Sequence, residues 1–264
     1  MKRVMSIATS DSGAGAGIQA DLKAFLRCSV YGTTAIVATT AQNTVGVADI
    51  HPFPPRVAVA QIEAIVEDIG ADAVKTGMLF NAPIISAVAE TLGRLRLPKV
   101  VVDPVMGAES GATLLEPEAV DTYKNELFPL ATVITPNVNE AFALLGEGVD
   151  EDRVEDCAVM LHALGPAAVI ITGGHTSSGA DLLYDGEHFE RIEGPVHDSD
   201  TTHGAGCTHS SSLASFLARG FGPEEAARRA RAVASEAVEY GLSEIGAGAG
   251  PVHALGQVLK GVKV

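Results

Sequence analysis

Lys99-Val100-Val101-Val102-Asp103 is the stretch that decides the fold. A short, strongly apolar, β-branched run reads as a buried strand, and this one ends in a carboxylate. On its N-terminal side, Ile85, Val88, Ala89 and Leu92 recur at helical spacing within Ala82–Arg94. On its C-terminal side, Glu116–Leu127 also reads as a helix. Helices before and after a buried strand are the unit from which parallel sheets are wound.

Working outward, the same alternation fills the chain. Val4–Ala8, Thr33–Thr40, Asp72–Lys75, Thr132–Thr135 and Ala167–Thr172 read as strands, with Val45–Ile50 as a short edge strand. Gly17–Ser29, Arg56–Ile69, Ala141–Leu145, Val154–Leu164, Ala205–Arg219 and Pro223–Tyr240 read as helices, and a short last helix follows the Gly-rich stretch Gly246 to Gly250. Asp181–Tyr184 and His188–Ile192 flank Asp185-Gly186 and read as a hairpin. The fold class is therefore α/β: layered, with a central mostly parallel sheet flanked by helices. No repeat and no linker divides residues 1–264, which read as one domain. Ligands of such sheets collect at the carboxyl ends of the strands. Asp103, Thr135-Pro136-Asn137 and Thr172-Gly173-Gly174 all fall there.

Composition narrows the partners. Of 264 residues, 47% are hydrophobic, ample for one large core. The formal net charge of −15 argues against nucleic acid and against an anionic membrane surface. It suits simple solubility or a salt-rich cell interior. Three cysteines with no CxxC spacing suggest reduced thiols and a cytosolic protein. No run is long enough to span a membrane.

Several segments carry possible chemistry. Thr201-Thr202-His203-Gly204-Ala205-Gly206-Cys207-Thr208 is a small-residue loop opening a helix. Unpaired amides and the dipole at a helix start attract anions, phosphates above all, and lower the pKa of a cysteine placed there. Cys207 is thus a candidate base or nucleophile; the alternative is a plain Gly-rich turn before a core helix. Ser10-Asp11-Ser12-Gly13-Ala14-Gly15-Ala16-Gly17 follows the first strand, but its glycines are not spaced GxGxxG. It reads as a flexible turn or as a loop that lets backbone approach a ligand. Asp21, one turn on, either faces that ligand or is a solvated helix residue. Asp103 with Asn137 and Glu140 offers oxygen ligands suited to Mg²⁺. Equally, Asn137 can cap a helix whose dipole Glu140 complements. Thr172-Gly173-Gly174-His175 is a second strand-end glycine loop, able to approach nucleotide phosphates or merely to turn. His203 reads more simply as structural than as catalytic.

In order along the chain stand SDSGAGAGIQADLK (10–23), AQNT (41–44), KTGML (75–79), VVDPVM (101–106), TPNVNEA (135–141), GGH (173–175), THGAGCTHS (202–210) and GPVH (250–253). Together they closely resemble the hydroxymethylpyrimidine/phosphomethylpyrimidine kinases of thiamine biosynthesis, within the ribokinase superfamily. The resemblance implies a ribokinase-like three-layer fold and two successive phosphorylations of a hydroxymethylpyrimidine by ATP. It implies that Asp21, Gln42, Met78 and Val105 surround the pyrimidine. Asn137, Thr172 and Gly174 would lie against ATP, with Asp103 and Glu140 at Mg²⁺. Gly204, Ala205, Gly206 and Cys207 would form the anion hole and base. A cytoplasmic homodimer is implied as well. Thr172 departs from the family, which commonly has Lys there; magnesium or a monovalent cation would then cover the missing charge, or nucleotide binding would be weak. Ala14 and Ala205 replace residues usually Gly and Thr. A pyridoxal or pyridoxine kinase of the same superfamily, and a sensor without turnover, are the alternatives; Gln42 favours the pyrimidine, because its amide both donates and accepts.

Overall fold

Successive residues of the central strands face two different cores. Met5, Ile7, Val74, Val100, Val102, Ile134, Val169 and Ile171 belong to one apolar cluster. Val4, Ala73, Val101, Val133 and Ile170, the residues between them, belong to another. Strand side chains alternate with period two, so a sheet whose strands are apolar on both parities must be covered on both faces.

The computed structural model describes residues 1–107, 117–174 and 179–259. Along the chain run β1 (Arg3–Asp11), α1 (Gly17–Arg27), β2 (Tyr31–Asn43), β3 (Gly46–Pro52), α2 (Pro55–Asp68), β4 (Ala73–Thr76), α3 (Ala82–Leu95) and β5 (Val100–Val102). There follow α4 (Pro117–Thr122), β6 (Val133–Ile134), α5 (Val138–Leu145), α6 (Val154–His162), β7 (Val169–Ile171), β8 (Asp181–Tyr184), β9 (Phe189–Ile192), α7 (Ala205–Ala218), α8 (Pro223–Glu239) and α9 (Gly256–Leu259). The strands form one sheet in the order β3-β2-β1-β4-β5-β6-β7-β8-β9. β2 through β7 in that order are parallel; β3, β8 and β9 join antiparallel. Helices α2, α3, α5 and α6 supply Ile62, Ile85, Phe142 and Leu161 to the first cluster. Helices α1, α7 and α8 supply Phe25, Leu213 and Ala227 to the second. The expected three-layer architecture is present.

Two strands run further than their apolar patterns suggest. β1 continues past Ala8 through a register shift and pairs Ser10 with Thr39 and Asp11 with Thr40. β2 continues to Asn43 because β3 folds back on it, pairing Gln42 with Val47. Polar residues at these ends face the cleft rather than a core, so hydrophobic periodicity does not reveal them. The segment expected to be helical over Glu116–Leu127 is α4 followed by a π-helical turn at Tyr123–Leu127 and a 3₁₀ turn at Phe128–Leu130; Glu116 lies outside the described residues. Among the described residues, no helix is long and apolar enough to cross a membrane.

Candidate active site

The chain leaves β1 to both sides, toward β2 and toward β4. Such a switch point opens a crevice at the strands' carboxyl ends. A continuous cavity lies there, from Gln42 and Met78 at one end, past Asp103 and Cys207, to Thr172, Gly174 and Arg231 at the other.

The end beside β1 and β2 is tightly knotted. Asp11, the last residue of β1, accepts hydrogen bonds from the amides of Gly13 (2.8 Å), Gly15 (3.0 Å) and Ala16 (2.8 Å). His203 Nε2 lies 3.2 Å from Asp11 Oδ2. Burial would push the Asp11 carboxyl up, but His203 and these amides outweigh it and hold it below the usual range. The first glycine loop therefore wraps its own aspartate and packs on His203: a Cβ on Gly15 would collide with that ring. Gly204, at φ +89°, has left-handed backbone, and a Cβ there would collide with the Gly15 carbonyl. Glycine is needed because two loops touch, and of the first loop Asp11, Ala16 and Gly17 line the cavity. Gln42, Met78 and Val105 line it.

Asp21 does not. It is fully buried, away from the cavity wall. Its carboxylate takes the Lys75 ammonium at 2.9 Å, Ser6 Oγ at 2.5 Å and Ser211 Oγ at 2.7 Å. The expectation that Asp21 faces a ligand is corrected: α1 turns it inward, where it neutralises Lys75. Burial alone would lower the Lys75 pKa; Asp21 beside it holds the ammonium raised. Lys75 does reach the cavity and lies 4.0 Å from Asp103 Oδ2. Sequence reasoning passed over this lysine, although a charged residue in a strand with apolar neighbours is itself a signal.

Helix α7 begins at the cavity, and Gly204, Ala205, Gly206 and Cys207 all line it. The helix-start expectation for Cys207 is corrected in one respect. Burial pushes its thiol up to about 12; Asp21 and Asp103 add to this, while Lys75 and the Gly17 backbone oppose it. Burial, with the two carboxylates added, outweighs Lys75 and the Gly17 backbone, so the resting group is a thiol.

Asn137 and Glu140 form the capping box that opens α5. Asn137 Oδ1 accepts from the Glu140 amide at 2.9 Å, and Glu140 Oε2 accepts from the Asn137 amide at 2.9 Å. The capping reading thus holds, yet both residues line the cavity. Burial first, and the Asp103 charge second, push the Glu140 carboxyl up to about 8. Burial likewise raises Asp103, against Lys75 and a 2.8 Å hydrogen bond from Ser210. Two carboxyls that resist ionising side by side, with the neighbouring ammonium bound to Asp21, form an oxygen donor set that a divalent cation would relieve. Among the described residues, no three His, Cys, Asp or Glu side chains converge as a metal cage.

The far end is looser. Thr172 and Gly174 line it, with His197 and Arg231; His175 lies outside the described residues. Asp181, at the start of β8, accepts from the Gly173 amide at 2.9 Å and lies 3.2 Å from His209 Nε2 and 3.9 Å from Arg231 Nη1. Burial would raise Asp181, but His209 outweighs it and the carboxyl is lowered. Asp181, His209 and Arg231 were not legible in the sequence, because β8, α7 and α8 bring them together from distant segments.

With this geometry in place, likeness to known proteins is informative. The family model for phosphomethylpyrimidine kinase matches residues 11–253. The hydroxymethylpyrimidine/phosphomethylpyrimidine kinase of Haemophilus influenzae is 44% identical over 261 residues, covering 96% of each chain. The thiamine biosynthesis bifunctional protein ThiED of Geobacter sulfurreducens is 45% identical over 253 residues; the match covers 95% of this chain and about half, 51%, of that longer protein. Among solved structures, an ADP complex of Bacillus subtilis pyridoxal kinase superposes with a TM-score of 0.91 at 38% identity, covering 98% of this chain and 99% of that one. This chain belongs to the phosphomethylpyrimidine kinase family.

Proposed function

We propose that the chain, acting as one kinase domain, uses ATP to phosphorylate 4-amino-5-hydroxymethyl-2-methylpyrimidine and then its monophosphate. The observation that carries this reading is a shared cavity: Gln42, Asp103, Cys207 and the opening of α7 all border one space. Gln42, Met78 and Val105 bound the acceptor's place. Gln42 pairs with a ring nitrogen and its neighbouring amine. The acceptor oxygen bonds to the γ-phosphorus as the bond to ADP breaks. The amides of Gly204–Cys207 face the charge on the moving phosphoryl group, which asks mainly for positioning and neutralisation. Asp103 and Glu140 would hold Mg²⁺, which would neutralise phosphate charge. Thr172, Gly174 and Asn137 lie beside the nucleotide.

The two steps make different demands. In the first, the alcohol proton must leave, and Cys207 as thiolate accepts it. In the second, the nucleophile is a phosphate with a second pKa near about 6, already largely deprotonated at neutral pH. Since the resting Cys207 thiol is pushed up to about 12, its thiolate fraction grows about tenfold per pH unit through the neutral range. The first step should therefore accelerate from pH 7 to 9, and the second should not.

An ADP-release assay with the pyrimidine alcohol, its monophosphate and pyridoxal tests the reading. ADP with both pyrimidines and little with pyridoxal is expected. Preference for pyridoxal would favour the second reading, which the likeness to a pyridoxal kinase keeps in view. Binding of the pyrimidine without ADP release would mean a sensor. The proposal extends to a cytoplasmic homodimer that binds neither nucleic acid nor membranes. Sedimentation at micromolar concentration checks the dimer, and loss of ADP release on chelation, restored by Mg²⁺, checks the metal.

A further inference from the structure

Asp11 and His203 stand 192 positions apart in the chain, yet His203 Nε2 lies 3.2 Å from Asp11 Oδ2. Both residues are buried. An ionised carboxylate only accepts, so Nε2 carries the proton of this contact. The same Oδ2 accepts from the amides of Gly15 (3.0 Å) and Ala16 (2.8 Å), while Oδ1 accepts from Gly13 (2.8 Å). One carboxylate thus ties the first glycine loop to the residue before Gly204, where α7 opens. Backbone atoms close the same seam. The Gly15 carbonyl sits so near Gly204 that a Cβ there would collide with it. On the far side, the His203 amide donates to the Gly250 carbonyl (3.2 Å) and the His203 carbonyl accepts from Val252 (3.0 Å). The turn into α7 is therefore held from behind by the GPVH segment and from in front by Asp11.

The two loops carry different parts of the site. Ala16 and Gly17 of the first border the cavity, as do Gly204, Ala205, Gly206 and Cys207 of the second. The Gly17 backbone also hydrogen-bonds the Cys207 sulfur. We propose that Asp11, acting through His203, is a positioning residue that fixes the opening of α7 against the first glycine loop, and so sets the spacing between the acceptor oxygen and the amides that meet the moving phosphoryl group. Transfer is sensitive to such spacing: a misplacement of about 1 Å can cost about 10²-fold in rate. Binding rests on other residues, Gln42, Met78 and Val105 at the ring and Thr172 and Gly174 at the nucleotide. Loosening the brace therefore slows transfer and spares binding. It slows both phosphorylations, because spacing matters whichever nucleophile attacks, whereas a lost base slows the first. This inference rests on the proposed kinase reading of the cavity.

The test measures kcat and KM for both phosphorylations in the wild-type chain, His203→Phe, His203→Gln, Asp11→Ala and the double variant Asp11→Ala with His203→Phe. His203→Phe keeps a ring against Gly15 but loses the donor; His203→Gln keeps a donor within reach of Asp11. His203→Phe should lower kcat of both steps by about tenfold or more, with KM for the pyrimidine and for ATP within about twofold. His203→Gln should restore kcat to within about threefold of wild type. The double variant should be no slower than Asp11→Ala alone, since a residue that acts through another adds nothing once its partner is gone. An unchanged kcat in His203→Phe, a loss confined to KM, or losses that multiply in the double variant would each overturn the brace and leave the kinase reading standing. A wild-type chain that phosphorylates neither pyrimidine defeats the kinase reading and the brace with it. Should the His203 variants fail to fold, imidazole ¹⁵N shifts in the wild-type protein decide: a protonated Nε2 supports the brace, and a proton on Nδ1 alone overturns it.

Discussion

The two ends of the cavity are built differently. At the end formed by β1, β2 and the start of α7, Asp11 gathers three amides and His203, and Gln42 is in contact with both Thr40 and His203. At the end formed by β7, β8 and α8, polar atoms are buried without hydrogen bonds among the described residues: Asp181 Oδ2, both His209 ring nitrogens and Arg231 Nε. Asp181 and His209 approach to 3.2 Å, but not in hydrogen-bonding geometry. The first end is preorganised before anything binds, which suits recognition of a small rigid ring. The second keeps unspent donors and acceptors, which suits a large polar ligand that brings its own charge. Selectivity should therefore reside at the first end, and affinity that depends on nucleotide and ions at the second.

The largest effect is expected where the ends meet. Cys207→Ala should slow the first phosphorylation by about 10²–10⁴-fold, the range for a lost general base, and the second by far less. Equal losses in both steps would show that Cys207 shapes the anion site rather than taking the proton. Next comes the floor of the acceptor end. Lys75→Met strands the buried Asp21 carboxylate without its cation and should cost about 3–5 kcal/mol in unfolding free energy by denaturant titration. A loss under about 1 kcal/mol would mean that Ser6 and Ser211 alone suffice to hold Asp21.

Glu140 gives an effect of opposite sign. Its folded pKa is raised to about 8, above an unfolded value near 4.5, so the folded state keeps a proton that the unfolded state releases. Stability falls as pH rises through that window. Glu140→Gln retains the capping box, since Gln serves at the same position, and removes this penalty. The variant should gain stability at pH 8, gain nearly nothing at pH 4.5, and lose Mg²⁺-dependent turnover. A gain independent of pH would place the effect in packing instead. The smallest change is at the far end. Thr172→Lys adds a cation beside the proposed phosphate path and should lower KM for ATP several-fold, the scale of one charge-assisted contact. An unchanged KM would show that Lys75, Arg231 or bound ions already supply the charge.

The cores and the layer order were readable because burial imposes periodicity. Val100–Val102 is apolar on both parities and sits mid-sheet. α3 and α8 begin and end within a residue or two of where spacing and Pro signals put them. The strand ends were less readable. Asp11 and Gln42 lie in regular strands, but polar residues at a cleft carry no apolar alternation. Cys207 was readable as a residue and misread as an acid. Its place at a helix start is local, whereas the burial that raises it, and the carboxylates of α1 and of the residue after β5 that add to it, come from the folded chain.

The order of elements, the two-faced sheet and the identity of the glycine loops follow from the sequence by itself, because backbone conformation and hydrophobic spacing are local properties. Which carboxylate is sunk against Lys75, which histidine meets Gln42, and how Asp181, His209 and Arg231 converge were decided only in three dimensions. Charge and hydrogen bonding act through space over a few ångströms, and the folded sheet brings to that distance residues that lie up to about two hundred positions apart in the chain.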